Sequence, residues 1–187
     1  MFKPRWSCSA LLLYAMTVSI SANDKGGMGV DTLPGPRESA SVQYLACTEE
    51  IGRLLEQINA IRAEGANCVG SYMEPVSSLR PNPLLEHAAF EHAYSMATHN
   101  FLSHTGRDGR DVGQRVSSYG YHWRLVGENI AAGQPSVDKA VEEWLESAEH
   151  CRNLMSAEYR ETGFACVANP RAEYRYYWVQ VFATSME

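Results

Sequence analysis

The last apolar stretch of the chain, "RYYWVQVFAT" (Arg175–Thr184), carries large apolar side chains at consecutive positions. In an extended strand, successive side chains point to opposite faces. Tyr176, Trp178, Gln180 and Phe182 then share one face, and Tyr177, Val179 and Val181 share the other. A strand that is apolar on both faces is explained by core packing, in a sheet covered by helices. The aromatic run is therefore assigned to the core rather than to an exposed binding platform. The rest of the chain has to supply partner strands and a helical cover.

It does. Ile51, Leu54, Leu55, Ile58 and Ile61 recur at intervals of three and four, so Thr48–Glu64 is expected to be a helix capped by Thr48 and ended by Gly65. Leu85, Ala89, Ala93, Met96 and Ala97 mark a second helix over Pro83–Asn100, with Pro83 in its first turn. Val112 and Val116 lie one turn apart in "DGRDVGQRVSSYG", a short third helix. Val137, Ala140, Val141, Trp144, Leu145 and Ala148 follow the helical spacing most closely, with Ser136 as the cap. Arg124–Ala132 and "TGFACVAN" read as further strands, while "ANCVGSYMEPVSSLRPNP" reads as a loop. Helices first, then strands with one more helix between them, give an α+β domain with a helix-covered antiparallel sheet.

The start of the chain, "MFKPRWSCSALLLYAMTVSISA", has a basic head (Lys3, Arg5), a short apolar segment and small residues up to Ala22. Residues 1–22 are expected to be a secretory signal, with no transmembrane span remaining after cleavage. Residues 23–46 are expected to form a flexible leader and residues 47–187 the domain, in a secreted or periplasmic protein. Export fixes how the cysteines read. Cys8 leaves with the signal, and Cys47, Cys68, Cys151 and Cys166 form an even set for two disulfides. Three connectivities are possible, and the local pairs Cys47–Cys68 and Cys151–Cys166 are expected. A net charge of −6 with no basic run argues against a nucleic-acid partner.

One position resists the apolar pattern. Glu128 sits in the middle of the strand "RLVGENIAA". A carboxylate removed from water needs charge or hydrogen-bond partners. The unusual polar residues fall in three segments: "FLSHTGRDG" with His104, "VGENI" with Glu128, and "ESAEHCRNLM" with His150. Two imidazoles and a carboxylate can hold a divalent cation with an open position, or form a hydrogen-bonded cluster without one. Ser103 and Ser147 lie near the histidines, so a Ser/His hydrolase is an alternative, although no G-x-S-x-G elbow is present. Glu128 is the candidate catalytic base; its other role is an acceptor that fixes a His ring. His87, His92 and His99 have no chelating spacing and are read as structural or exposed.

The combination of "SHTGRDG", "GENIAAGQ", "WLESAEHCRNLM" and "YYWVQVF", in that order, resembles the CAP superfamily, which includes cysteine-rich secretory and pathogenesis-related proteins. The likeness is greatest to its bacterial, secreted SCP-like branch. The resemblance implies an α–β–α sandwich with a cleft that holds two His and two acidic residues and binds zinc in several members. By motif, His104, Glu128 and His150 are the expected metal residues, and Ser103, Asn129 and Ser147 line the cleft. The fourth, acidic position of the family pattern falls on Ser147, which implies weaker affinity for Zn2+ or another divalent cation. Asn153 and Gln180 are expected to be internal hydrogen-bond anchors. The implied function is a non-enzymatic binding module with an unidentified ligand or surface partner. Its alternatives are a peptidase-like hydrolase and a binder of sterol, lipid or cell-wall components.

Overall fold

The computed structural model describes Leu45, Ala46 and residues 48–186. The expected signal, the leader as far as residue 44, and Cys47 lie outside those residues. The last two leader residues, Leu45–Ala46, form a short strand, β1, instead of flexible chain. The four expected helices are α1 (Thr48–Glu64), α2 (Pro83–His99), α3 (Val112–Ser118) and α4 (Val137–Glu146). The long strands are β5 (Trp123–Ala132), β6 (Glu161–Ala168) and β7 (Tyr176–Ser185). Local chemistry sets the ends. The Asn82 side chain accepts from Leu84 N ahead of α2, and Asn100, left-handed at φ 54, closes it. Asp111 and Gln114 form a reciprocal capping box at α3, and Ser136 accepts from Lys139 N at α4.

Three local features depart from the sequence expectation. The segment read as a loop contains β2 (Ala66–Cys68) and β3 (Ser71–Met73), paired as a hairpin, and β4 (Arg80–Pro81). Strands this short leave no window in which alternation can be seen. The hairpin turn, Val69 and Gly70, has positive φ at both positions (52 and 85), and Val at such a position gives no turn signal. The long helix expected to run through Ala148 is broken at Ser147, whose extended backbone (φ −97, ψ 122) ends α4 and opens α5 (Ala148–Leu154). Serine is compatible with a helix interior, so the break leaves no mark on the apolar spacing.

Among the described residues the main sheet has the order β1-β6-β7-β5, with β4 beside β6. All pairings are antiparallel except β4 with β6. β7 is flanked on both sides and apolar on both faces, as expected. Tyr177, Val179, Val181 and Ala183 pack with Leu85, Ala89, Ala93 and Met96 of α2. Trp178 and Phe182 pack with Leu54 and Ile58 of α1 and with Val141 and Trp144 of α4. Each fully buried Val, Leu, Ile, Phe or Met side chain among them contributes about 1.5–3 kcal/mol. The result is an α–β–α sandwich. The alanines of α2 let it lie low on the sheet, and its backbone passes directly over Gly163 of β6. Gln180, fully buried, donates to Thr162 Oγ1 at 3.3 Å, so it is the internal anchor expected of it.

A buried cation ties the second face together. Arg62 of α1 is fully buried, and it donates from Nε and Nη2 to Ser77 O (2.9 and 2.7 Å) and from Nη1 to Leu154 O (2.5 Å) and Ser156 O (3.1 Å). The carbonyls of Leu154 and Ser156 are ones that the end of α5 and the following turn leave without helical donors. Burial, and secondarily the charge of Arg160, lowers the guanidinium pKa to about 10.

One disulfide joins Cys68 of β2 to Cys151 of α5, with Cα atoms 5.4 Å apart and a sequence separation of 83. This corrects both expected pairs, Cys47–Cys68 and Cys151–Cys166. The hairpin packs on α5, so that Cys68, Cys151 and Met155 share one small apolar cluster. Proximity in the fold decides the pairing, and proximity in sequence is a poor guide to it. Cys166, buried on β6, is also disulfide-bonded.

Candidate functional site

β5 ends the described sheet order, so both helical layers can reach its outer edge. Its side chains alternate: Val126 and Ile130 face the α2 cluster, Leu125 and Ala131 the α1–α4 cluster. Glu128 therefore points toward α2 and α3, and Asn129 toward α4 and α5. The carbonyls of the open edge are covered by side chains, with Asn153 Nδ2 donating to Glu128 O (3.3 Å) and Trp144 Nε1 to Ile130 O (3.2 Å). Asn129 is fully buried; it donates to His150 O (3.0 Å) and accepts from Asn153 (2.9 Å). It was expected to line the cleft and instead ties β5 to α5, because neighbouring strand residues cannot share a face with Glu128. Gly127 is required here, since a Cβ would fall 2.2 Å from the Tyr159 hydroxyl.

The carboxylate of Glu128 is buried, with both oxygens engaged. Oε1 accepts from His104 Nδ1 at 2.9 Å, and Oε2 from Arg115 Nη2 at 2.5 Å. The opposite charge that a buried carboxylate demands is thus a guanidinium. Sequence reasoning placed Val116 of α3 in the core and overlooked Arg115 beside it. The signal was available in principle, since a buried acid calls for a cation on the element packed against its face.

His104 and His150 come together. Their ring centroids are 6.2 Å apart, with an interplanar angle of 59°. His104 is half exposed, held through Nδ1. His150 sits in the first turn of α5, placed there by the break at Ser147, whose hydroxyl accepts from His150 N at 3.5 Å. Its Nδ1 is buried with no hydrogen-bond partner, and burial first, then His104, lowers its pKa. Ser103 Oγ accepts from Thr105 N (3.1 Å), and its carbonyl accepts from the buried His92 Nε2 (2.8 Å). Neither the Ser103 nor the Ser147 hydroxyl bonds to an imidazole nitrogen, so the geometry offers no Ser–His pair.

Among the described residues, no group of three or more His, Cys, Asp or Glu is arranged to hold a metal ion. The donor set that fits a cation is the two imidazoles. Two Zn–N bonds of about 2.0–2.1 Å in a tetrahedral shell bring imidazole centroids to roughly 5 Å, a side-chain adjustment from the 6.2 Å seen. Glu128 accepts from His104 Nδ1 and so fixes the orientation of that ring.

The same cluster should make the fold acid-sensitive. His92 is buried, and its pKa is lowered by burial first and then by the charges of Arg115 and His104, against the raising effects of Glu128 and the Ser103 carbonyl. A depressed histidine contributes stability that is complete above the unfolded value of about 6.5 and is lost as pH falls through it. His150 acts with the same sign. The urea midpoint of the protein should drop between pH 7 and pH 5, and His92→Gln should make that drop shallower. An unchanged slope in the variant would contradict the assignment to His92.

The fold is an α–β–α sandwich in which the glutamate of a terminal strand is bonded to one of two neighbouring histidines. Residues 55–182 match the Cysteine-rich secretory protein (CAP) family, and the chain belongs to that family. Its fold is similar to that of an extracellular protein with an SCP domain from Bacillus anthracis (TM-score 0.62, 22% identity, 74% of this chain and 41% of that one). It is also similar to an outer surface protein of Borrelia burgdorferi (TM-score 0.67, 20% identity, 77% and 98%). Among curated sequences it is 25% identical over 111 residues to the uncharacterized membrane protein YlbC of Bacillus subtilis, covering 59% of this chain and 30% of the relative. It is likewise 25% identical over 89 residues to the uncharacterized protein YkwD of the same organism, covering 48% and 35%. The chain thus spans about a third of the length of these two relatives. No helix among the described residues is long and apolar enough to cross a membrane.

Proposed function

We propose that the protein is a non-enzymatic, extracytoplasmic binding module whose cleft takes a divalent cation, such as Zn2+, between His104 and His150. The observation that carries this reading is the pair of facing imidazoles, one oriented by Glu128 and the other with a buried, unpartnered nitrogen. The extracellular and outer-surface proteins among its structural neighbours support the location. With Ser147 in the place of a second acid, and with Glu128 neutralised by Arg115, two neutral ligands hold the ion. Affinity should be modest. Both Glu128 oxygens are engaged and the carboxylate is buried, which weighs against its acting as the base of a metal-assisted hydrolase. Calorimetric zinc titration of the mature, oxidised protein should show one saturable site that disappears in His104→Ala/His150→Ala. Equal heats in both proteins would refute it.

A second reading, lipid or sterol binding, has its own observation. An apolar groove of about 450 Å³ lies between α1, α2 and β6, lined by Ile51, Pro83, Leu84, Phe90 and Phe164. Leu84 and Phe90 are exposed on its rim. If the groove takes an acyl chain, Phe90→Asp should abolish binding of a fluorescent fatty acid while leaving the melting temperature nearly unchanged. Undiminished binding in that variant would exclude the groove.

A further inference from the structure

We propose that Arg115 is the positioning residue of the cleft: one guanidinium sets both the ring and the backbone of His104. His104 lies in a segment without helix or strand, between α2 and α3. Arg115, with a side chain only 6% exposed, reaches that segment from α3. Its Nη2 holds Glu128 Oε2 at 2.5 Å, which leaves Oε1 aimed at His104 Nδ1. Its Nη1 donates to His104 O and to Arg110 O, both at 2.9 Å. Arg110 O also accepts from Gly106 N at 2.9 Å, so the guanidinium grips the base of the loop that carries His104.

Simple neutralisation of Glu128 would not need this arrangement. An ammonium neutralises a carboxylate equally well, but it is a point charge on a flexible stem. A planar fork can serve a carboxylate oxygen and two backbone carbonyls in fixed directions. The consequence for the cleft is specific. With Oε1 as acceptor, the His104 proton stays on Nδ1, and Nε2 keeps the lone pair that a cation would use. His92 adds a second hold on the same loop through Ser103 O (2.8 Å), without touching Glu128.

The proposal rests on the cation reading only for its affinity consequence, so the test has a metal-free part. The His104 tautomer is read by long-range proton–nitrogen NMR in the metal-free protein, and zinc affinity is then measured on the same samples. Wild type should show His104 protonated on Nδ1. Arg115→Lys keeps a charge opposite Glu128; it should retain that tautomer but lose about 10-fold in zinc affinity, as the loop carbonyls are released. Arg115→Gln should show a tautomer mixture and a loss of about 10- to 100-fold, the range for a removed orienting partner. Arg115→Lys binding zinc as tightly as wild type would overturn the proposal, even if the glutamine variant fails to fold. A folded Arg115→Gln protein with the wild-type tautomer would overturn it too. If wild type binds no zinc, the cation reading fails alone, and the tautomer and amide exchange of residues 103–110 in the two variants decide the role of Arg115. An unchanged tautomer in Arg115→Gln, or unchanged amide exchange in Arg115→Lys, would overturn it.

Discussion

Gly163→Ala should destabilise the protein by about 4 kcal/mol or more, although it adds one methyl group to a strand. An alanine Cβ at this position would lie 2.1 Å from Glu86 N and 2.2 Å from Leu85 C. Both are backbone atoms of the first turns of α2, so no side-chain rotation can relieve the clash. α2 is fixed below by Leu85, Ala89 and Ala93 in the core and at its start by Asn82, whose N–H donates to Thr162 O at 2.9 Å. The helix must therefore shift as a body or tilt away from β6. Interiors packed like organic crystals transmit such a shift instead of absorbing it. Chemical denaturation checks this directly, with Ala165→Gly as a control for a small change on the same strand. A loss below about 1 kcal/mol in Gly163→Ala would show that α2 does not sit as closely on the sheet as described.

Removing the disulfide with Cys68→Ala/Cys151→Ala should cost about 4.5 kcal/mol in the chain-entropy treatment, for a cross-link spanning 83 positions. The effect reaches the cleft as well as the global stability. Cys151 follows His150 directly, and α5 is short, so the cross-link to the hairpin holds it together with the Arg62 bonds to Leu154 and Ser156 and the Asn129 and Asn153 bonds to β5. The variant should therefore lose zinc affinity at temperatures where it is still folded. Peptide mapping without reduction should find the Cys68–Cys151 peptide, and the local pairs would contradict the fold around α5.

Long, periodic elements were legible in the sequence, because burial imposes its period on every residue of a helix or strand. β7, apolar on both faces, implied a buried strand, and α1, α2 and α4 carried their own spacing and caps, while the α–β–α sandwich was legible from the family resemblance. What escaped has physical causes. A three-residue hairpin strand has no period to read, and Ser147 breaks a helix at a residue that also tolerates one. The disulfide followed the packing of the hairpin on α5, which local spacing does not encode. In the site, the demand of Glu128 for partners was legible from its neighbours, and His104 and His150 from the family resemblance. Arg115 was not, since α3 is too short to show which face is buried. Asn129 was misplaced for an avoidable reason: alternation on β5 sends it away from Glu128.

Zinc-soaked crystals of the mature, oxidised protein provide the most direct measurement, through an anomalous difference map at the zinc edge. The expected result is one strong peak between the His104 and His150 rings, with Glu128 still bonded to His104 and Arg115. No peak in the cleft would contradict the cation site itself. A peak with Glu128 swung off Arg115 and onto the metal would contradict its assignment as the carboxylate that orients His104.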